Sequence, residues 1–160
     1  MAYQRHPFIK YLILAAVTFA SIFFFLFPKD KSQDLPIIAI TQIIDHHTLD
    51  EVRISMIDAL ATHGFKDSET VKIIYENANG NVSVAAEIAK KFQMLKPVVM
   101  VALSTQSAQT LLPIARQAQI PLVFTAVTDP VAAKLVSAYD QTQAGVTGIS
   151  DLCLWNHKSL

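Results

Sequence analysis

Residues 97–107 impose the tightest constraint on what this chain can fold into. Pro97-Val98-Val99-Met100-Val101-Ala102-Leu103 is apolar throughout, and Ser104-Thr105-Gln106-Ser107 follows without a spacer. A short apolar run with no polar alternation suits a strand covered on both faces, as in a parallel sheet flanked by helices. Serine and threonine behind such a strand are helix-capping residues, because their oxygens accept the free N–H groups of a first turn. The same unit recurs. Pro36 to Ile44 is nearly continuous apolar sequence, and Leu122-Val123-Phe124-Thr125-Ala126-Val127-Thr128-Asp129-Pro130 joins a buried-strand pattern to a helix start. There Asp129 suits the N-cap and Pro130 the first helical position.

Between these units lie helical and turn patterns. Thr48-Leu49-Asp50-Glu51 has the form of a capping box, and Leu49, Val52, Met56, Ile57 and Leu60 follow at helical spacing before Gly64. This predicts a helix that begins at Thr48 and ends on a left-handed cap. Val71 to Glu76 reads as a second strand, Asn77-Ala78-Asn79-Gly80-Asn81 as a turn, and Val82 to Leu95 as a helix closed by Pro97. A third helix starts after Ser104, and Pro113 within its apolar pattern predicts a kink or break near Leu112. A short fourth helix over about 131–138 and a fifth strand over 145–149 complete the series. Alternating strands and helices with right-handed crossovers predict an α/β fold: a doubly wound, mainly parallel five-stranded sheet.

A chain of 160 residues has room for one domain with a substantial core. The expected organisation is an N-terminal signal or anchor segment over 1–28, a polar tether over 29–35, an α/β lobe over 36–152 and an irregular tail over 153–160. Tyr11 to Phe27 is almost wholly apolar and would rise roughly 25 Å as a helix, within the lower range of a bilayer span. It ends in Ile22-Phe23-Phe24-Phe25-Leu26-Phe27, without the small residues of a cleavage site, which favours an uncleaved membrane anchor over a cleaved signal peptide. Formal net charge is zero and the basic residues are dispersed, so no nucleic-acid surface is expected. The lone Cys153 has no internal disulfide partner.

Catalytic and cofactor patterns are absent from the sequence. It contains no Gly-x-Gly-x-x-Gly, no phosphate loop and no Gly-x-Ser-x-Gly elbow, so neither a cofactor nor an enzymatic role is expected. His46-His47 has no further ligand at metal-site spacing and reads as a pre-helical loop. Asp50-Glu51 reads as first-turn stabilisation of a helix dipole, and the sequon Asn81-Val82-Ser83 as a helix cap. What remains are polar strand ends: Gln42, Ser104 to Ser107, Thr125 to Asp129, and Ser150-Asp151. In a parallel sheet these ends share one side, where ligands bind. Their hydroxyls, amides and carboxylates match the needs of a zwitterionic amino acid, although capping explains each loop locally.

Ile40-Thr41-Gln42, Ser104-Thr105-Gln106-Ser107-Ala108-Gln109, Thr125-Ala126-Val127-Thr128-Asp129-Pro130 and Gly145-Val146-Thr147-Gly148-Ile149-Ser150-Asp151 together resemble the ABC-transporter substrate-binding proteins of the aromatic-amino-acid type. The resemblance runs from about Ile37 to Leu152. It implies the first lobe of a type 1 periplasmic binding protein, held outside the cytoplasmic membrane, that passes a small solute, an amino acid with aromatic ones favoured, to an ABC permease. It further implies that Thr105, Gln106, Ala126 and Thr128 hold the ligand carboxylate, that Gln42 lines the cleft, and that Asp151 sits near the first interlobe crossing. Family members begin with a cleavable signal or a lipid-attachment cysteine and continue into a second lobe. Here an aromatic apolar run stands first, and Cys153-Leu154-Trp155-Asn156-His157-Lys158-Ser159-Leu160 is unlike the family. These departures create the expectation of a truncated, membrane-anchored lobe with impaired binding. The alternative expectation is a membrane-anchored single-lobe interaction module with no small-ligand transport role.

Overall fold

The computed structural model describes residues 35–139, 141 and 143–151. The predicted segment 1–28, all but the last residue of the tether, and the 153–160 tail lie outside the described residues. Among the described residues, five strands and three helices follow one another as β1 (Ile37–Gln42), α1 (His47–Thr62), β2 (Lys72–Asn77), α2 (Val82–Leu95), β3 (Val99–Leu103), α3 (Thr105–Ala118), β4 (Leu122–Val127) and β5 (Val146–Ser150). The strands form one sheet in the order β2-β1-β3-β4-β5, and every pairing is parallel. This is the expected α/β sheet.

Alternate residues of the strands feed two apolar layers. Ile38, Ile40, Val101 and Leu103 face α1, which packs Val52, Met56, Ile57 and Leu60 against them. Ala39, Met100, Ala102, Leu122 and Phe124 face the other way, toward Ala85, Ile88, Ala89 and Phe92 of α2 and Ala108, Leu111, Leu112 and Ala115 of α3. The chain steps from β1 outward to β2, then back across β1 to β3. Right-handed crossovers in opposite directions put α1 on one face and α2 and α3 on the other. That is the doubly wound arrangement.

Local chemistry accounts for most element boundaries. Asn81 caps α2, its side-chain oxygen accepting from the amides of Ser83 (2.9 Å) and Val84 (3.3 Å). Asn79 and Gly80 take positive φ values of 51° and 77° in the turn before it. Gly64 (φ +91°) follows α1 in the left-handed conformation that suits glycine.

Three expectations are corrected. The Thr48 capping box does not form: α1 starts at His47, with Asp50 N donating to His46 O at 3.0 Å and no side-chain cap at His46. The loop leaving β1 thus enters the helix before Thr48 is reached. Residues 131–138 form no helix but one turn, in which the amides of Ala133 and Leu135 donate to the oxygens of Asp129 and Pro130. Lys134 at φ +59° closes that turn, and burial of Leu135 and Val136 draws the chain into the core. Finally, α3 does not break at Pro113 but runs through it to Ala118. Leu111, Leu112 and Ala115 are buried on either side of the exposed proline, so packing outweighs one lost backbone hydrogen bond.

Candidate functional site

Register fixes which strand ends meet. Gln42 pairs with Leu103, Leu103 with Thr125, and Val127 with Ser150, so β1, β3, β4 and β5 finish along one edge. At a strand spacing of about 4.8 Å that edge extends roughly 14 Å, the scale of a small solute. Between β1 and β3 the chain reverses its direction across the sheet, and the loops beyond them depart to opposite faces. Such a switch point opens a crevice at the carboxyl edge.

β3 delivers Ser104 to this edge with φ +100° and ψ 160°, a conformation sparsely populated for a residue with a side chain. The position is held from two sides. Ser104 N donates to Thr125 O at 3.0 Å, and Ser104 Oγ accepts from Ser107 N at 3.4 Å as the cap of α3. Thr105 and Gln106 therefore occupy the first turn of α3, half-buried and exposed respectively. First-turn amides have no intrahelical acceptor, and the positive end of the helix dipole lies there, which favours an anionic group.

β4 brings a second strained residue. Between the pairs Phe124–Gly148 and Val127–Ser150, β4 advances one residue more than β5, and Ala126 in this bulge has φ +54°. Bulges re-aim the residues around them. Thr128 beyond the bulge is exposed, and its carbonyl accepts from Ser150 Oγ at 3.0 Å. Asp129 turns away from the edge to cap the next turn, accepting from the amides of Val131 (3.0 Å) and Ala132 (2.9 Å). The Ala132 amide, then the Tyr139 hydroxyl, hold its carboxyl below the ordinary carboxylate value. Asp151 is exposed and donates its amide to Val127 O at 3.1 Å.

Gln42 differs in kind. It reaches the same edge but is fully buried, on the α1 face of the sheet. Its Nε2 donates to Ile44 O at 2.7 Å and to Asp50 Oδ1 at 3.1 Å. Asp50 also receives Arg53 Nη2 at 3.3 Å, and the Arg53 guanidinium lies 4.3 Å from the Tyr75 ring centroid. The Gln42 hydrogen bond and the Arg53 contact hold the Asp50 carboxyl below its ordinary value. Burial pushes the Tyr75 hydroxyl up. First-turn stabilisation is therefore only part of what Asp50 does; its link to Gln42 was missed in the sequence. The available signal was a glutamine ending an otherwise apolar buried strand, since a buried amide requires partners.

The fold thus gathers Gln42, Thr105, Gln106, Ala126, Thr128 and Asp151 at one edge, with all but Gln42 at least partly accessible. That edge is open. Among the described residues, one hollow lies between Ala115, Arg116, Pro121 and Gly145 at the opposite end of β4 and β5, and another beside β5 between Phe124, Val136, Tyr139 and Gly148. His47 faces Glu51 at 3.6 Å, and no cluster of three metal-ligating side chains occurs among the described residues.

Comparison with known proteins gives concordant results. The family described as ABC transporter substrate binding protein matches residues 37–158. A tyrosine-binding protein of Clostridioides difficile is 37% identical over 123 residues, which is 77% of this chain and 35% of that protein. A ligand-free, open substrate binding protein with adhesive properties from Clostridium difficile superposes with a TM-score of 0.68 at 39% identity, covering 74% of this chain and 39% of the other. A Streptococcus domain in complex with L-Trp superposes with a TM-score of 0.67 at 32% identity, over the same shares of the two chains. The chain therefore spans little more than a third of the length of these relatives.

Proposed function

Because the chain belongs to the ABC transporter substrate-binding protein family, we propose that it serves an importer as one wall of an amino-acid cleft, with aromatic side chains favoured. The role is capture of a solute, not its chemical conversion. The observation that carries this reading is the convergence of four polar strand ends on one edge, with the strained residues Ser104 and Ala126 both placed there. Strain of this kind persists where surrounding structure enforces it, and it concentrates at ligand clamps. The first turn of α3, with the hydroxyls of Thr105 and Thr128, offers donors for a carboxylate; Gln106 and the backbone of Ala126 complete that wall. Asp151 lies at the rim.

The ligands named for the two relatives, tyrosine and L-Trp, support an aromatic amino acid here. In this reading the lobe works outside the cytoplasmic membrane, the apolar run Tyr11 to Phe27 keeps it there, and an ABC permease receives the solute. Among the described residues no helix is long and apolar enough to cross a membrane.

Titration calorimetry of the full chain with L-tyrosine, L-tryptophan and L-phenylalanine tests the proposal. Binding of at least one is expected, weakened about tenfold or more by Thr105→Val or Thr128→Val, since a hydrogen bond to a charged group contributes about 1.5–3 kcal/mol. Absence of heat with all three would falsify it.

A further inference from the structure

Among the described residues, two buried side-chain polar atoms, Gln42 Oε1 and Arg53 Nε, lack a hydrogen-bond partner, and both belong to the group centred on Asp50. The Gln42 amide is oriented without ambiguity. Its nitrogen lies against two acceptors, Ile44 O and Asp50 Oδ1, and only the NH2 end can satisfy both. Turning the amide over would set oxygen against oxygen. The amide thus keeps two donor bonds and leaves its oxygen free, in a place where an unsatisfied acceptor is costly. Arg53 supports the arrangement by neutralising the Asp50 carboxylate while it stacks on Tyr75 of β2.

Gln42 is the last residue of β1 at the switch point, and its buried amide lies at the carboxyl edge where the candidate cleft is placed. On the amino-acid reading above, we propose that Asp50 is a positioning residue: it anchors Gln42 by its nitrogen, leaving Oε1 to accept a hydrogen bond from the α-ammonium group of the ligand. The division of labour is then chemical. The first turn of α3 offers donors for the carboxylate, and the end of β1 offers an acceptor for the ammonium. A ligand without the ammonium forgoes that hydrogen bond and binds more weakly for it.

Two readouts on the full chain test this. The first is the pair of Gln42 side-chain amide proton resonances, followed in wild type, Asp50→Ala and Asp50→Asn. Protection from solvent exchange is expected in wild type, loss of it in Asp50→Ala, and its return in Asp50→Asn, whose side-chain oxygen still accepts. The second is calorimetry with L-tryptophan and with indole-3-propionate, which lacks the ammonium. Wild type is expected to prefer tryptophan at least tenfold, Asp50→Ala to lose most of that preference, and Asp50→Asn to keep it. Gln42→Met, which removes the acceptor without adding charge, is expected to lose the preference as well, and it stands in should Asp50→Ala fail to fold. An unchanged preference in Gln42→Met, or unchanged amide protection in Asp50→Ala, overturns the proposal. A wild-type chain that binds neither probe overturns the amino-acid reading and the ligand half of this one, while the amide resonances still decide whether Asp50 holds Gln42.

Discussion

Gly148 lies opposite Phe124 where β5 pairs with β4. A Cβ built there would overlap the Phe124 carbonyl oxygen and lie 2.5 Å from ring atoms Cγ and Cδ2. Phe124 is buried and cannot yield, so Gly148→Ala is expected to cost about 1–3 kcal/mol, read as a lower urea midpoint. At this scale the sequence was only partly legible. Asn81 caps the helix it was expected to cap, and Asp129 accepts early amides as expected, although they belong to a turn and not to a helix. The positive φ values of Ser104 and Ala126 were not foreseeable, since strands distant in sequence impose them. The burial of Gln42 escaped notice for the same reason: its partner Asp50 lies on the next element.

Among the elements, α2 shows what local sequence can decide. Its cap, its apolar stripe of Ala85, Ile88, Ala89 and Phe92, and its limits at Val82 and Leu95 all follow from nearby residues. Asn81→Ala is expected to cost about 1 kcal/mol and to speed amide exchange at Ser83 and Val84, with native-state hydrogen exchange as the check. The central strands β1, β3 and β4 were likewise legible, because buried parallel strands announce themselves as apolar runs, whereas the edge strands β2 and β5 are less buried and mix polar residues in. Where tertiary packing overrides local preference, reading failed. Residues 131–138 carry a good helix start, yet burial of Leu135 and Val136 ends the turn early. Pro113 was expected to kink or break α3, yet the buried residues around it keep the helix unbroken.

For the whole molecule, the lowered carboxyls of Asp50 and Asp129 set a response to acid. Each binds its proton more weakly folded than unfolded. Their stabilisation is therefore present above the unfolded value of about 4 and is lost as pH falls through the lower folded values. Urea midpoints are expected to decline below about pH 4. Asp129→Asn retains a capping oxygen but does not titrate, and should make that decline shallower.

The strand order has one more consequence, for the time before the fold exists. β1 lies between β2 and β3, so Ile38 finds its second neighbour only at Val99. A chain emerging from the ribosome in sequence order holds the apolar Ile38, Ala39 and Ile40 with one side unpaired until α2 and β3 have been synthesised. Through that interval the centre of the future sheet is an open edge able to template the wrong strand, a hazard of nascent parallel sheets that chaperones serve to limit.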